Sequence, residues 1–404
     1  MKLQERWLAL PLVEERIDPN DWFAVSAYAL LAGVSQLLWL TYAPITTESA
    51  AHFGVSEDAV GLLAEIFPLL YVLLAIPAGI LLDRWLRQTL IAAGALMLVG
   101  AAVRVIFGSF AGAMTGQLLI AVAQPAVLAA ITKLAAERVA PESRTLAISI
   151  GSAGLFSGLV AALVLGATVG ASDELAPLLW INLAAALVAA AGIAVALRKA
   201  SRRETEESVA IRLSDLRAIY TDPVLSRLGA MTFLGMGIFN AVATWLEVLL
   251  RPAGVDSSAS SWVLVAMTVA GVIGALTLAP SVGRRGNERG YLQSASLIGM
   301  AGFLAMTLIG GAFGAAVIFA AVGFVLLAAQ PVILELSERR AGHAAASAAG
   351  AILLAGNLGG IVLAVSVQTI NDSPTASFVV LAAAMLAILP VARSLPERIT
   401  ARSA

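Results

Sequence analysis

The chain passes from one long apolar run to the next through Gly79-Ile80-Leu81-Leu82-Asp83-Arg84-Trp85-Leu86-Arg87. About twenty apolar residues cross ~30 Å of hydrocarbon as a helix, and the runs on both sides of this segment are long enough to do so. Lipid offers no partners to free backbone groups, so such runs predict helices. Similar runs recur along the chain, and we predict an all-α polytopic membrane protein with twelve transmembrane helices. The runs centre near 22–45, 58–82, 88–108, 112–136, 143–170, 175–197, 226–250, 260–282, 290–309, 314–335, 345–368 and 375–393.

Composition and charge distribution agree with this prediction. Apolar residues make up 60% of the chain and charged residues 13%, and the mean hydropathy of +0.91 excludes an ordinary soluble protein. With the N-terminus in the cytoplasm, all of the 25 Lys and Arg residues except Arg104 and Arg251 fall on the cytoplasmic side. The positive-inside rule then places both termini in the cytoplasm, and we expect a multi-pass protein of the plasma membrane. A net charge of −1 gives no reason to expect a nucleic-acid partner.

A polar segment from Arg198 to about Arg227 divides the chain between the sixth and seventh apolar runs. We predict an N-terminal six-helix bundle at 1–198, a cytoplasmic linker at 199–225 and a C-terminal six-helix bundle at 226–404. Apolar residues recur at helical spacing within the linker, which is typical of an amphipathic helix at the membrane surface; a solvated linker is the alternative. These apolar residues are Val209, Leu213, Leu216 and Tyr220.

The two halves of the chain contain copies of one short pattern. The fourth run contains Ala123-Gln124-Pro125-Ala126-Val127-Leu128, and the tenth contains Ala329-Gln330-Pro331-Val332-Ile333-Leu334. At the same displacement, Trp39 in the first run corresponds to Trp245 in the seventh. A parallel six-plus-six repeat, with substrate bound near the midplane, is the arrangement of major facilitator transporters. We therefore predict a major facilitator fold of two pseudo-symmetric six-helix halves that works by alternating access.

The segment from Gly79 to Arg87 resembles the signature between the second and third spans of major facilitators, Gly-x-x-x-Asp-Arg/Lys-x-Gly-Arg. The resemblance implies a conformational latch that holds the cytoplasmic face shut when the cavity opens outward. Glycine permits close helix contact, and a carboxylate at a helix end faces basic residues and a neighbouring helix terminus. Leu86 replaces the second Gly, and a loop that merely caps helices is the alternative. The predicted latch residues are Gly79, Asp83, Arg84 and Arg87.

A narrower resemblance extends along most of the chain. The motifs that carry it are Trp39-Leu40-Thr41-Tyr42, Tyr71 with Pro77, Gly116-Gln117, Ala123-Gln124, Gly237-Ile238-Phe239-Asn240 with Thr244, and Glu335 with Gly350 and Asn357. They are similar to the FLVCR family (feline leukaemia virus subgroup C receptor-related transporters), whose members are associated with choline, ethanolamine and haem. The resemblance implies that Trp39 is the aromatic wall of a choline site and that Gln124 lines it. Asn357 stands where the family has Gln, and Asn240 stands where it has a Tyr that completes the cation cage, which weakens cation–π binding.

Polar residues at mid-depth form the candidate substrate site. At ~1.5 Å per residue, Tyr71, Gln124, Asn240 and Asn357 fall within about a turn of the predicted midplane on four different helices. Such residues usually face a cavity, although a single amide is equally well explained as an interhelical hydrogen-bonding group. No charged residue lies at the midplane, so a neutral, zwitterionic or aromatic-held cationic solute fits better than an anion. The predicted substrate-binding residues are Ser35, Gln36, Trp39, Tyr71, Gln124, Phe239, Asn240 and Asn357.

Two carboxylates lie in the outer third of their runs, Glu65 in the second and Glu247 in the seventh. A buried Glu in a membrane is a candidate carrier of a coupling proton, because burial favours the neutral carboxyl group. Alternatively, either residue reaches the headgroups or pairs with Arg104 or Arg251.

The sequence thus predicts a monomeric transporter, embedded in the lipid bilayer, for a small organic solute such as a choline-like or other polar amine. The alternative is a proton-coupled symporter or exporter of another metabolite or drug. A membrane enzyme or receptor has little support, because no reactive constellation is present and the outside loops are short. We expect no metal and no cofactor, since the chain lacks Cys and the predicted topology places His52 and His343 at opposite faces.

Overall fold

The computed structural model describes residues 21–140, 143–170, 175–198, 221–341 and 345–396, and its regular structure is helical throughout these ranges. It includes short 3₁₀ turns at Ala43–Ile45 and Arg251–Ala253 and a π-turn at Gly166–Gly170. The predicted surface helix at 209–220 lies outside the described residues. The helices are α1 (Trp22–Trp39), α2 (Thr46–Phe53), α3 (Glu57–Phe107), α4 (Phe110–Arg138), α5 (Arg144–Leu165), α6 (Ala176–Ala196), α7 (Pro223–Leu250), α8 (Ser257–Arg285), α9 (Glu288–Ala305), α10 (Ala312–Ala341), α11 (Ala345–Gln368) and α12 (Pro374–Arg393).

Eleven segments of the described chain are long and apolar enough to cross a membrane, so the protein is a multi-pass membrane protein. α3 supplies two of them, Glu57–Leu82 and Arg84–Phe107. The predicted span at 290–309 corresponds to α9, which has 18 residues and begins with Glu288 and Arg289. These charges shorten the apolar part of α9 below a full crossing, so the count of twelve spans remains a prediction.

The second and third spans are joined by a sharp kink where the sequence predicts a loop. α3 continues helically from Glu57 to Phe107 except at Trp85, whose φ of −144° and ψ of 54° are not helical. One residue outside the helical region is enough to redirect a helix axis. Asp83, Arg84 and Arg87 therefore flank a bend between two helical arms, and the prediction of a loop at this segment is corrected.

Helix contacts in the first half of the chain recur in the second. α1 packs against α4, α5 and α6, and α7 packs against α10, α11 and α12. Glycine permits the closest of these contacts: a Cβ added at Gly154 would overlap the carbonyl of Ala29, and one at Gly359 would overlap that of Phe233. Small residues let helix backbones approach in the membrane, so the α1–α5 and α7–α11 seams are close in the same way.

An aspartate–arginine pair ties the start of α1 to the end of α4, and a second ties the start of α7 to the end of α10. Asp21 accepts from the backbone N–H of Ala24 and lies 3.3 Å from Nη1 of Arg138. Asp222 accepts from the first turn of α7 and lies 2.9 Å from Nη2 of Arg340. Burial alone would raise the pKa of Asp222, but the hydrogen bonds from Arg340 and the backbone outweigh it and hold this pKa below its usual value.

Candidate functional site

The polar residues predicted on α1 have different surroundings. Ser35 is fully buried, and its hydroxyl donates to the carbonyl of Ala32 at 2.7 Å. The amide of Gln36 donates in turn to the Ser35 hydroxyl at 3.3 Å. Each side chain thus has a hydrogen bond within α1, and their part in binding a substrate stays a prediction.

Trp39 is held against α3 by two contacts. Its indole N–H donates to the carbonyl of Ala64 at 3.0 Å, and its ring lies 6.2 Å from that of Phe67 at a tilt of 37°. Phe67 is fully buried whereas Trp39 is only partly buried, so Phe67 supports the indole and leaves part of Trp39 open. The sequence prediction omitted Phe67, although it lies four residues before Tyr71 and so shares a helix face with it.

Gln124 and Tyr71 are buried without hydrogen-bond partners among the described residues. Gln124 is 4% exposed and Tyr71 is 8% exposed. Buried amides and hydroxyls are nearly always hydrogen-bonded in folded proteins, to water or ligands where no protein group is available. These two side chains thus have unused hydrogen-bonding capacity, as a solute site requires.

The two asparagines lie along the α7–α11 seam. Asn240 is 5% exposed and its Nδ2 faces Gly360 of α11. Asn357 donates to the carbonyl of Leu353 in its own helix at 3.0 Å, and Phe239 packs partly buried on the core. No hydrogen bond or ring contact joins Trp39, Gln124, Asn240 or Asn357 to one another in the described part of the chain. Their convergence on one site stays a prediction.

A cavity of about 500 Å³ lies between the two arms of α3 and α4, and none of the predicted substrate residues lines it. Its lining is largely apolar and includes Pro77 and Trp85. The predicted latch residues border this region. A Cβ added at Gly79 would meet open space, and Arg84 and Arg87 are exposed. The side chain of Asp83 lies outside the described part, so the latch is a prediction that this conformation does not test.

The two membrane carboxylates differ sharply in their partners. Glu247 accepts from the backbone N–H and hydroxyl of Thr47 at 3.1 and 2.6 Å and from the hydroxyl of Ser257 at 3.2 Å. Arg251 pairs with Glu57, so the predicted alternative of a direct Glu247–Arg251 pair is wrong. Glu65 is 6% exposed, and neither of its carboxylate oxygens has a hydrogen-bond partner.

Arg104 anchors the end of α1 and does not pair with Glu65. It is 1% exposed, and its Nη1 donates to the carbonyl of Leu38 at 3.3 Å, to Thr41 at 3.2 Å and to Gln117 at 3.1 Å. A cation at the C-terminal end of a helix is favoured by the helix dipole. Arg104 therefore positions the turn that carries Trp39, a role that the sequence prediction missed.

Hydrogen bonds between residues 21–198 and 221–396 gather at the end predicted to face outside, which we call the outer end. Four residues there form the outer gate: Thr47 and Glu57 from the first half, and Glu247 and Arg251 from the second. The bonds beside the gate are Ser261 to the carbonyl of Pro44 at 3.0 Å, Ser258 to that of Ala167 at 2.8 Å and Asn371 to Asp58 at 3.2 Å. The outer end is closed in this conformation.

Comparison with known proteins supports a transporter. The family model described as Major Facilitator Superfamily matches residues 24–364. Solute carrier family 49 member A3 of Danio rerio is 32% identical over 279 residues, which are 65% of this chain and 59% of that protein. The protein of the same name from Xenopus tropicalis is 27% identical over 262 residues, 58% of this chain and 53% of that protein. The chain thus spans between half and three-fifths of the length of these relatives, which fit the FLVCR-like resemblance only loosely.

Solved transporter structures share the fold. A peptide transporter (POT) in complex with sulfate has a TM-score of 0.75 at 15% identity, covering 93% of this chain and 94% of that chain. The nucleoside transporter NupG has a TM-score of 0.71 at 13% identity, covering 92% of this chain and 99% of that chain. At these identities the likeness shows the fold alone. Because the family model matches most of the chain and the fold agrees, the chain belongs to the Major Facilitator Superfamily.

Proposed function

We propose that this protein is a secondary transporter that moves a small organic solute, such as a choline-like or other polar amine, by alternating access. The observation that carries the proposal is the partly open Trp39 ring, fixed by Ala64 and Phe67 near the end of α1. Cations bind over tryptophan faces, and the effect grows when water is excluded. The unpartnered side chains of Gln124 and Tyr71 supply hydrogen bonds to the polar part of such a solute.

Two pseudo-symmetric six-helix halves, residues 1–198 and 226–404 joined by a linker at 199–225, support alternating access. The recurring contacts of α1 and α7 favour this division, as do the two aspartate–arginine pairs. The outer end is closed here, and the latch of Gly79, Asp83, Arg84 and Arg87 is proposed to close the opposite end when the outer gate opens. The proposed protein is a monomer of the plasma membrane with both termini in the cytoplasm.

A thermal-shift screen of the purified protein tests the proposed substrate class. A ligand that binds only the folded state raises the melting temperature. Choline and ethanolamine should raise it, whereas a dicarboxylate of similar size should not, because none of the proposed substrate-binding residues is cationic. Uptake of the stabilising amine into proteoliposomes would then confirm transport. Stabilisation by the dicarboxylate alone would contradict the proposal.

Proton-coupled transport of another metabolite or drug is the second candidate. One observation favours it, the burial of Glu65 without any hydrogen-bond donor.

A further inference from the structure

We propose that Glu65 is a proton-binding site that is occupied while the outer end is closed and releases its proton to the outside when that end opens. The inference rests on the proposed alternating access. It assigns different roles to the two membrane carboxylates, since Glu247 serves as a hydrogen-bond acceptor of the outer gate.

The surroundings of Glu65 favour its neutral form. Both carboxyl oxygens are buried without a donor. The indole of Trp245 lies beside them, but its N–H donates to the carbonyl of Ala364 at 3.1 Å and is not available. An ionised carboxylate without donors or a counter-ion is strongly disfavoured inside a membrane protein. The carboxyl group therefore holds a proton in this conformation.

Charged groups on α3 and at the end of α7 do not offset the free-energy cost of ionising Glu65. Asp58 lies toward the outer end of the same helix and adds negative charge near Glu65. Arg251 of α7 pairs with Glu57, and Arg104 in the second arm of α3 is bound to the end of α1. Neither arginine is hydrogen-bonded to Glu65, although Nε and Nη2 of Arg104 have no hydrogen-bond partner in the described part of the chain.

The other helices packed against α3 add no cation to the site. Neither α1, α6 nor α11 contains an Asp, Glu, Lys, Arg or His. The ionisable residues of α4 all lie between Lys133 and Arg138, at its far end. α2 contributes Glu48 and His52, and one carboxyl oxygen of Glu48 is itself buried without a partner.

Glu65 is shielded by the contact of α3 with α7 and α11, which must open during the transport cycle. The Trp245 ring packs over Gly61, one turn before Glu65, so closely that a Cβ at Gly61 would overlap it. α3 also packs against α11, which accepts the Trp245 hydrogen bond at Ala364. Separating α3 from α7 and α11 admits water to the carboxyl group, which then ionises and passes its proton to that water.

The proton site is directly connected to the proposed solute site. Ala64, the residue before Glu65, accepts the hydrogen bond of the Trp39 indole, and Phe67 contacts the same ring. A movement of this turn of α3 that exposes Glu65 also moves both supports of Trp39. Protonation and solute binding are thereby coupled through one helical turn.

Cysteine labelling without any solute tests the inference. The chain has no Cys, so Ser261→Cys gives a single thiol that is buried in the closed outer end. Asp372→Cys, in an exposed turn of the same end, corrects for the reagent's own pH dependence. Labelling at Ser261→Cys relative to Asp372→Cys should rise several-fold between about pH 6 and about pH 8, because deprotonation of Glu65 favours the open form. One proton limits the change to about ten-fold per pH unit.

Variants of the two carboxylates decide which one carries the proton. In Glu65→Gln the relative labelling should be low and independent of pH, and in Glu65→Asp it should keep its pH dependence. In Glu247→Gln it should be higher at every pH, because the gate is weakened, but it should still rise with pH. A pH dependence that persists in Glu65→Gln, or that disappears only in Glu247→Gln, overturns the inference. Amine uptake by wild type is measured separately, so failure of the proposed substrate class is distinguishable from failure of the proton site.

Discussion

At the residue scale, Trp39 combines a fixed position with a free surface. Its N–H donates to Ala64 and Phe67 supports one side of the ring, so the proposed contact with a solute uses the part of the ring that stays exposed. Asn240, by contrast, lies against Gly360 at the α7–α11 seam. A larger side chain at 240 would press on α11, so an aromatic residue there cannot be added without separating the two helices.

The first prediction concerns Trp39 and uses the amine identified by the thermal-shift screen. Trp39→Ala should weaken binding by roughly 1–2 kcal/mol, or about ten-fold, which is the range for a desolvated cation–π contact. Trp39→Phe should lose less, although it gives up the hydrogen bond to Ala64. Binding isotherms measure both. An unchanged affinity in a folded Trp39→Ala protein would favour an amide-lined site for a neutral solute.

The second prediction concerns Asp222, which caps α7 and pairs with Arg340. Asp222→Ala should lower the melting temperature at neutral pH, since loss of a cap alone costs about 1 kcal/mol. The pKa of Asp222 is lowered in the folded state, so its contribution is present at neutral pH and is lost as pH falls through that pKa. The difference from wild type should therefore shrink in acid.

Asp256→Ala is the matched control for this prediction. Asp256 caps α8 by accepting from the N–H of Ala259 at 2.7 Å, and it has no arginine partner among the described residues. Its loss should lower the melting temperature less than the loss of Asp222. Equal effects would show that the pair with Arg340 contributes nothing beyond the cap.

At the element scale, apolar runs decide the helices and backbone geometry decides how they join. Runs of twenty apolar residues can only be helices in lipid. Eleven of the twelve predicted spans, α1 among them, accordingly match helical segments that are long and apolar enough to cross a membrane. The bend at Trp85 was not predictable, because it depends on the φ and ψ of one residue between two helical arms. α9 shows the opposite limit: the sequence predicts a span at 290–309, but the helix ends at Ala305 and begins with two charged residues, so its crossing stays a prediction.

The third prediction concerns the latch at the bend of α3. If Asp83 and the adjacent arginines close the cytoplasmic end in the outward-open form, Asp83→Asn should disfavour that form. Labelling of Ser261→Cys should fall, because the closed outer end becomes more populated. The control is the melting temperature measured without solute, which shows that the variant is folded. Unaltered labelling and transport in a folded variant would count against the latch.

At the scale of the whole molecule, contacts between distant segments could not be predicted from the sequence. Glu247 is recognisable in the sequence as a membrane carboxylate, but its partner Thr47 is not, because their contact depends on the start of α2 meeting the end of α7. Glu65 looked equivalent to Glu247 in the sequence, and only packing shows that it lacks donors. Mid-depth polar residues can be found by counting along helices, whereas the hydrogen bonds that Ser35 and Gln36 make within α1 depend on side-chain packing.

The fourth prediction tests the seam that closes the outer end. Gly61→Ala should force the Trp245 ring away from α3 and favour the open form, so labelling of Ser261→Cys should increase. Gly192→Ala in α6 is the control, since a Cβ there meets nothing within 4 Å. Equal labelling in the two variants would show that the Gly61–Trp245 contact does not control the outer end.

The last prediction concerns orientation, on which the meaning of the outer end depends. All Lys and Arg residues except Arg104 and Arg251 fall on one predicted side, and such a bias normally marks the cytoplasm. Asn287→Cys, in the exposed turn before α9, should therefore react with an impermeant thiol reagent only after the cells are permeabilised. Asp372→Cys, in the exposed turn before α12, should react in intact cells, because three predicted crossings, α9, α10 and α11, separate the two turns. The reverse pattern would mean that the predicted orientation is inverted and that the closed end faces the cytoplasm. Labelling of both from one side would mean that the region between them, which contains α9, crosses the membrane a different number of times than predicted.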